Sequence, residues 1–182
     1  NSVRGGDLII EDNAIVASSA NTDSGLGFDT GRNMIVRSGA QFNLTGGADA
    51  GLSMENSNLL VDNASVTMGG NFVLGQRFGN NTVTLLNANL TAKSISVDGL
   101  SVINVGGTRT GAAGAVGIFN AANVNLSRND SGATAELNFN HTSNRYVISS
   151  IFGQRGRINL IAGNTVFTGD SAGFAGQTVV SG

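Results

Sequence analysis

Apolar and polar residues alternate along much of this chain in short runs, as in Ala64-Ser-Val66-Thr-Met68 and Ala88-Asn-Leu90-Thr-Ala92. Period-two alternation sends every second side chain to the same side of the backbone, so each run predicts a short strand with one apolar face. Glycines and asparagines separate the runs and supply the backbone angles of tight corners.

The runs recur. Ala14, Ala40, Ala64 and Ala88 return at a nearly constant interval, and Asn13, Asn63 and Asn87 precede three of them. Five residues before each alanine comes Ile9, Ile35, Leu59 or Val83; two residues after it comes Val16, Phe42, Val66 or Leu90. Gly27, Gly51 and Gly75 stand thirteen residues before the last three. One such unit cannot bury its own apolar face, whereas stacked units share a continuous core. A period of about 24 residues with several strands and no helix predicts an all-β fold, a right-handed parallel β-helix (solenoid). Strands stacked about 4.8 Å apart would make seven or eight coils a rod roughly 35 Å long. The alanines would occupy narrow corners, and the larger columns would fill the interior.

After about Lys93 the period is lost, although one strand-like run continues over Ile95–Val105 and strands resume at Val116–Ile118, Val124–Leu126, Leu137–Phe139, Tyr146–Ile148 and Ile158–Leu160. The stretch 106–114 (GGTRTGAAG) reads as a protruding Gly-rich loop at 106–115, with turns at Asn129–Gly132 and Gly153–Gly156. Residues 1–182 are therefore expected to form one continuous β-helix, not two domains.

Composition supports this. Gly, Asn, Ser and Thr fill 82 of 182 positions, while Lys and Glu together number four. Long exposed helices need more strong helix formers than that. Disorder is disfavoured by a 40% apolar content and a net charge of -2. That near-neutral balance also argues against nucleic acid as a partner. No apolar run approaches the roughly 20 residues of a membrane-spanning helix. With no cysteine there is no disulfide and no thiolate metal site; a chain exported unfolded gains from having no thiols to cross-link. The absence of proline suits unbroken ladders. Asn1–Asp7 reads as the middle of a domain and not as a signal peptide, so a processed fragment is expected.

Several strings imitate active sites. Asp29-Thr30-Gly31 matches the aspartic-protease tripeptide but has no second copy to share a proton with. Gly169-Asp170-Ser171-Ala172-Gly173 resembles the nucleophile turn of trypsin-like proteases, yet the only histidine, His141, sits on a strand or turn with no room for a protease barrel. Asn21-Thr22-Asp23 matches one element of the polygalacturonase signature, whose paired aspartates and Gly-His-Gly element are absent. Asn-x-Ser/Thr strings headed by Asn43, Asn63, Asn80, Asn89, Asn125, Asn129 and Asn140 arise by chance in such a composition. No catalytic residue, metal cluster or cofactor site is expected. Arg128, Arg145, Arg155 and Arg157 make the last third mildly basic, which reads as solvated corners ahead of an anionic-ligand patch.

The ending Gly163-Asn-Thr-Val-Phe-Thr-Gly169-Asp-Ser-Ala-Gly173-Phe-Ala-Gly176-Gln-Thr-Val-Val-Ser-Gly182 resembles the strand repeat of bacterial autotransporter passenger domains. The match covers about twenty residues; filamentous adhesins share the style, and the rest of the chain agrees in style alone. The resemblance implies a Gram-negative cell-surface or extracellular protein of the type V secretion route, exported across the periplasm. It would touch the membrane only through a C-terminal barrel outside this stretch. Relatives of the self-associating kind mediate aggregation, biofilm formation or attachment to host or matrix glycans and proteins. Asp12-Asn13, Asp62-Asn63 and Asn87 would form a ladder, with the asparagines stacked internally at a corner and Asp12 and Asp62 as interface candidates. The alternatives are a non-binding stalk that assists export and a polysaccharide-binding or -cleaving β-helix.

Overall fold

A computed structural model describes residues 2–3, 6–18, 25–28, 31–47, 49–75, 80–127 and 132–181. Within them the chain is all β, with parallel strands throughout and no helix. It winds as a β-solenoid whose coils present three faces. The first face is an eight-stranded sheet of β2 (Leu8–Ile10), β5 (Asn33–Arg37), β8 (Asn58–Asp62), β11 (Thr82–Leu86), β13 (Val102–Val105), β15 (Glu136–Asn140), β18 (Arg157–Ala162) and β20 (Gln177–Val180). The second stacks β3 (Ile15–Ser18), β6 (Gln41–Leu44), β9 (Ser65–Met68) and the first halves of β12 (Asn89–Val97) and β14 (Phe119–Leu126). In the same place in their coils, β16 (Tyr146–Ile148) and β19 (Thr165–Phe167) pair with each other. The third holds β1 (Ser2–Val3), β4 (Leu26–Phe28), β7 (Leu52–Met54), β10 (Asn71–Leu74), the second halves of β12 and β14, and β17 (Ile151–Gln154).

The alternating runs do what their period requires. Ala64, Val66 and Met68 point inward and are buried, as are Ala88, Leu90 and Ala92. The column Val16–Phe42–Val66–Leu90 is a true spatial column that continues to Phe119. Its first member stays 42% exposed, on the outermost described coil of that face. Of the alanines, Ala40, Ala64 and Ala88 are buried at the corner, while Ala14 is exposed.

Two predicted columns are shifted by the structure. Ile35 pairs with Leu60, and Met34 pairs with Leu59. Ile9 and Ile35 therefore face outward, and the interior members are Met34, Leu59 and Val83. The cause is the corner: three residues, Ser38-Gly39-Ala40, link Arg37 to Gln41, where only Asn63-Ala64 link Asp62 to Ser65. Nor do the glycines form a column, since Gly27 is level with Ser53 and Gly51 precedes the pair Leu52–Phe72.

That corner needs a left-handed backbone. Asn13, Asn63 and Asn87 take φ of 62°, 48° and 45°, and Gly39 takes 79° in the same column. Asparagine tolerates this region better than other side-chain-bearing residues. The Asn87 amide donates to Asn63 Oδ1 at 3.0 Å, but this pair and Asn13 are exposed, not stacked internally as expected. The left-handed backbone at Gly39 favours glycine, and a Cβ there would also displace the Asn13 side-chain amide.

Beyond Lys93 the stack continues unbroken although the period does not. On the first face Thr82, Val102, Glu136, Arg157 and Gln177 are in register, yet their spacing along the chain is uneven. The step from Thr82 to Val102 is four residues shorter than the step before it. One is saved where β12 runs on from the second face to the third, and three between Val97 and Val102, which correspond to Leu74 and Thr82 one coil earlier. The step from Val102 to Glu136 is the longest, and it contains residues 106–115. Val116–Ile118, predicted as a strand, is a connecting segment; β14 begins at Phe119.

His141 is fully buried in the coil that follows. Its Nε2 meets Thr165 Oγ1 at 2.8 Å, and its ring lies edge-on to Tyr146 at 5.2 Å. Burial disfavours the imidazolium and moves its pKa below 6.5, while burial pushes the Tyr146 phenol up to about 12. Below pH 6.5 the unfolded chain takes up a proton that the folded chain resists. The His141 contribution to stability is therefore complete above that pH and declines as pH falls toward the lowered folded value. Unfolding midpoints measured from pH 8 to 5 should be flat at first and then drop, and His141→Gln should remove the part of the drop that precedes carboxylate titration.

Candidate functional site

Residues that alternate away from the core on the first face form three rows across the coils. One row is Asp7, Asn33, Asn58 and Thr82; the second is Ile9, Ile35, Leu60 and Thr84; the third is Glu11, Arg37 and Asp62, followed by Leu86. In the first, Asn33 donates its backbone N–H to Asp7 Oδ1 at 2.9 Å and its side-chain amide to both carboxylate oxygens at 3.2 Å. These bonds hold the Asp7 carboxyl below its usual pKa. Asn58 Nδ2 then donates to Asn33 Oδ1 at 3.1 Å. In the third, the Arg37 guanidinium closes on Glu11, with Nε 2.6 Å from Oε2. Between them the aliphatic row is accessible. Ile9 is 53% exposed, and Asn33, Ile35, Asn58, Leu60, Thr82 and Thr84 border a shallow depression of about 310 Å³.

Further along the same face the middle row changes to asparagine. Asn104, Asn138 and Asn159 alternate with the core residues Ile103, Leu137 and Ile158 and so point outward, yet all three are buried. Asn138 Nδ2 donates to Asn104 Oδ1 at 2.9 Å, and Asn159 Nδ2 donates to Asn138 Oδ1 at 2.7 Å. The stretch 106–115 lies beside this ladder. Asn140 Nδ2 donates to the carbonyls of Thr108 at 2.7 Å and Gly111 at 3.0 Å, and one nitrogen of Arg109 contacts both oxygens of Glu136 at 3.1 Å. The tip, 108–112, is exposed, but the base is held tightly: a Cβ on Gly114 would overlap the Gly106 carbonyl.

The proposed acidic pair is not brought together. Asp62 is level with Arg37 and Glu11, whereas Asp12 sits one residue on, at the corner beside Ser38. A row of alternating sign, Glu11–Arg37–Asp62, stands where a row of acids was expected. Arg155 and Arg157 line one depression with Thr134 and Gln177, while Arg145 is in the turn before β16, outside that lining. Arg128 lies outside the described residues, as do Asn21-Thr22-Asp23, Asp29-Thr30 and Asn129–Ser131. Ser171 is in a turn in which Ala172 N–H bonds Asp170 Oδ1 and Phe174 N–H bonds the Ser171 carbonyl; its hydroxyl accepts from Phe152 N–H. Among the described residues no three His, Cys, Asp or Glu side chains cluster as metal ligands.

The amide and aliphatic rows were missed in the sequence because they run through Asn33 and Asn58, or Ile35 and Leu60, one position out of step with the frame that Ala40 and Ala64 set. Comparison of the chain with protein families, with curated proteins and with solved structures gives no match.

Proposed function

We propose that the chain is an adhesive segment of an exported, surface-displayed passenger, which associates with another copy of itself through the outer side of the first face. The observation that carries this reading is the set of three parallel rows (amide, aliphatic and alternating charge) repeated from coil to coil at about 4.8 Å. Repetition lets many weak contacts act together once two rods align, so that modest pairs add up to useful avidity. The aliphatic row supplies apolar area, and the amide and charged rows flanking it set the relative register of two copies. Cell-surface display and passage through an outer membrane rest on the autotransporter-like ending at 163–182.

A second reading has an observation of its own. Phe119, Phe139, Tyr146, Phe152 and Phe167 concentrate aromatic packing in the C-terminal coils. That suits a stable stalk which folds first and aids export. Sedimentation of the purified chain over a wide concentration range separates the two readings. Self-association predicts a concentration-dependent dimer, lost in Ile35→Asp/Leu60→Asp with a melting temperature that stays above the assay temperature. A wild-type chain that remains monomeric at millimolar concentration, and fails to clump cells displaying it, refutes adhesion by this face.

A further inference from the structure

We infer that the depression at the corner between β17 and β18 is a binding subsite for an acidic saccharide, with Arg155 and Arg157 receiving its anionic group. Glu136 is the carboxylate that meets arginines here, and its two oxygens are already contacted by Arg109 at 3.1 Å and approached by Asn159 Nδ2 at 3.4 Å. Arg157 reaches it through one nitrogen at 3.5 Å, a long contact for a charge-assisted bond. The Nε of Arg157 is buried and has no hydrogen-bond partner. Among the described residues no carboxylate pairs with Arg155. Two guanidinium groups thus share Glu136, and Arg155 beside them has no carboxylate partner among the described residues, on a chain whose net charge is -2.

The shape and the lining then indicate what kind of anion. Thr134, Arg155, Gly156, Arg157, Gly176 and Gln177 border an open space of about 480 Å³, within the roughly 300–1,000 Å³ of ordinary small-ligand sites. A lone phosphate or carboxylate would leave most of that space unfilled. Gly176 in its lining has no room for a side chain, because a Cβ there would overlap the Gly156 carbonyl of the coil beside it. Alongside the two cations stand the Thr134 hydroxyl and the Gln177 side-chain amide, a set that matches a ligand with hydroxyls and one anionic substituent. The overall negative charge disfavours long polyanions such as nucleic acid. The inference depends on these residues alone and does not require the self-association proposed above.

The test is calorimetric titration of the full chain with three probes: a galacturonate oligosaccharide, a sulfated heparin-derived oligosaccharide and a neutral cello-oligosaccharide. Saturable binding of one or both acidic probes, weakened by salt, with none of the neutral one, is the expected result. The acidic probe that binds more tightly identifies the anionic group as carboxylate or sulfate. Arg155→Ala, an exposed substitution, should weaken binding about tenfold, the scale of one lost charge-assisted bond. Arg157→Gln should weaken it similarly. Equal binding of the neutral probe overturns the inference. So does equally tight binding of an acidic peptide, undiminished binding by a folded Arg155→Ala/Arg157→Gln chain, or no binding of either acidic probe at millimolar concentration.

Discussion

Replacing Phe139 with alanine should lower the unfolding free energy by roughly 3–5 kcal/mol, the range for emptying a large buried aromatic site. Phe139 is fully buried on β15. Its ring centroid lies 6.5 Å from Phe119, 6.3 Å from Tyr146 and 5.7 Å from Phe167, with the first and last edge-on. It therefore links the coil that contains the 106–115 excursion to both coils after it. Stacked coils touch only their neighbours, so a cavity here removes contacts from two interfaces at once. Phe139→Leu keeps most of the volume and should cost less than half as much. Denaturant unfolding of both variants checks this; equal stability of Phe139→Ala and wild type would mean that the aromatic cluster does not hold these coils together.

Asn138→Ala should cost roughly 2–5 kcal/mol, through a different mechanism: two buried polar groups lose their partner, at about 1–3 kcal/mol each. The substitution deletes a small side chain, but it strands the Asn104 Oδ1 acceptor and the Asn159 Nδ2 donor in a buried row. Asn159 retains a long contact to Glu136 at 3.4 Å, which offsets only part of its loss. Replacing Asn104, Asn138 and Asn159 together by valine removes donors and acceptors alike, so the triple variant should be more stable than Asn138→Ala. If the single variant proves as stable as wild type, the ladder is solvated and the 106–115 stretch does not exclude water from it. Hydrogen exchange of 106–115 in the same variants reports on that cover directly.

The β-helix was legible because its signal is local and repeated. Alternation in Ala64–Met68 and Ala88–Ala92 fixes strands, and the Val16–Phe42–Val66–Leu90 column fixes the second face. The first face was less legible. An extra residue at the Ser38–Ala40 corner slips one strand relative to the next, and a one-residue slip turns every side chain over. That slip carried Ile9 and Ile35 from an expected interior to an observed exterior, and it separated Asp12 from Asp62. Past Lys93 the coils differ in length, the one from Thr82 to Val102 being short and the one from Val102 to Glu136 long. No fixed period could follow such a stack, although the backbone ladders keep it intact. The buried asparagine ladder escaped notice for the same reason. Asn104, Asn138 and Asn159 are unevenly spaced along the chain, and only the folded register shows them to be neighbours.

The outward rows of the first face depend on that register, and a chain without cysteine allows it to be read by cross-linking. Ile35 and Leu60 are level on adjacent parallel strands, about 4.8 Å apart, with both side chains outward, within the Cα range of a disulfide. Under mild oxidation Ile35→Cys/Leu60→Cys should form an intramolecular disulfide, while Ile35→Cys/Leu59→Cys should not, because Leu59 faces the core. Cross-linking of the 35/59 pair in preference to the 35/60 pair would contradict the register, and with it the three rows on which the proposed function stands.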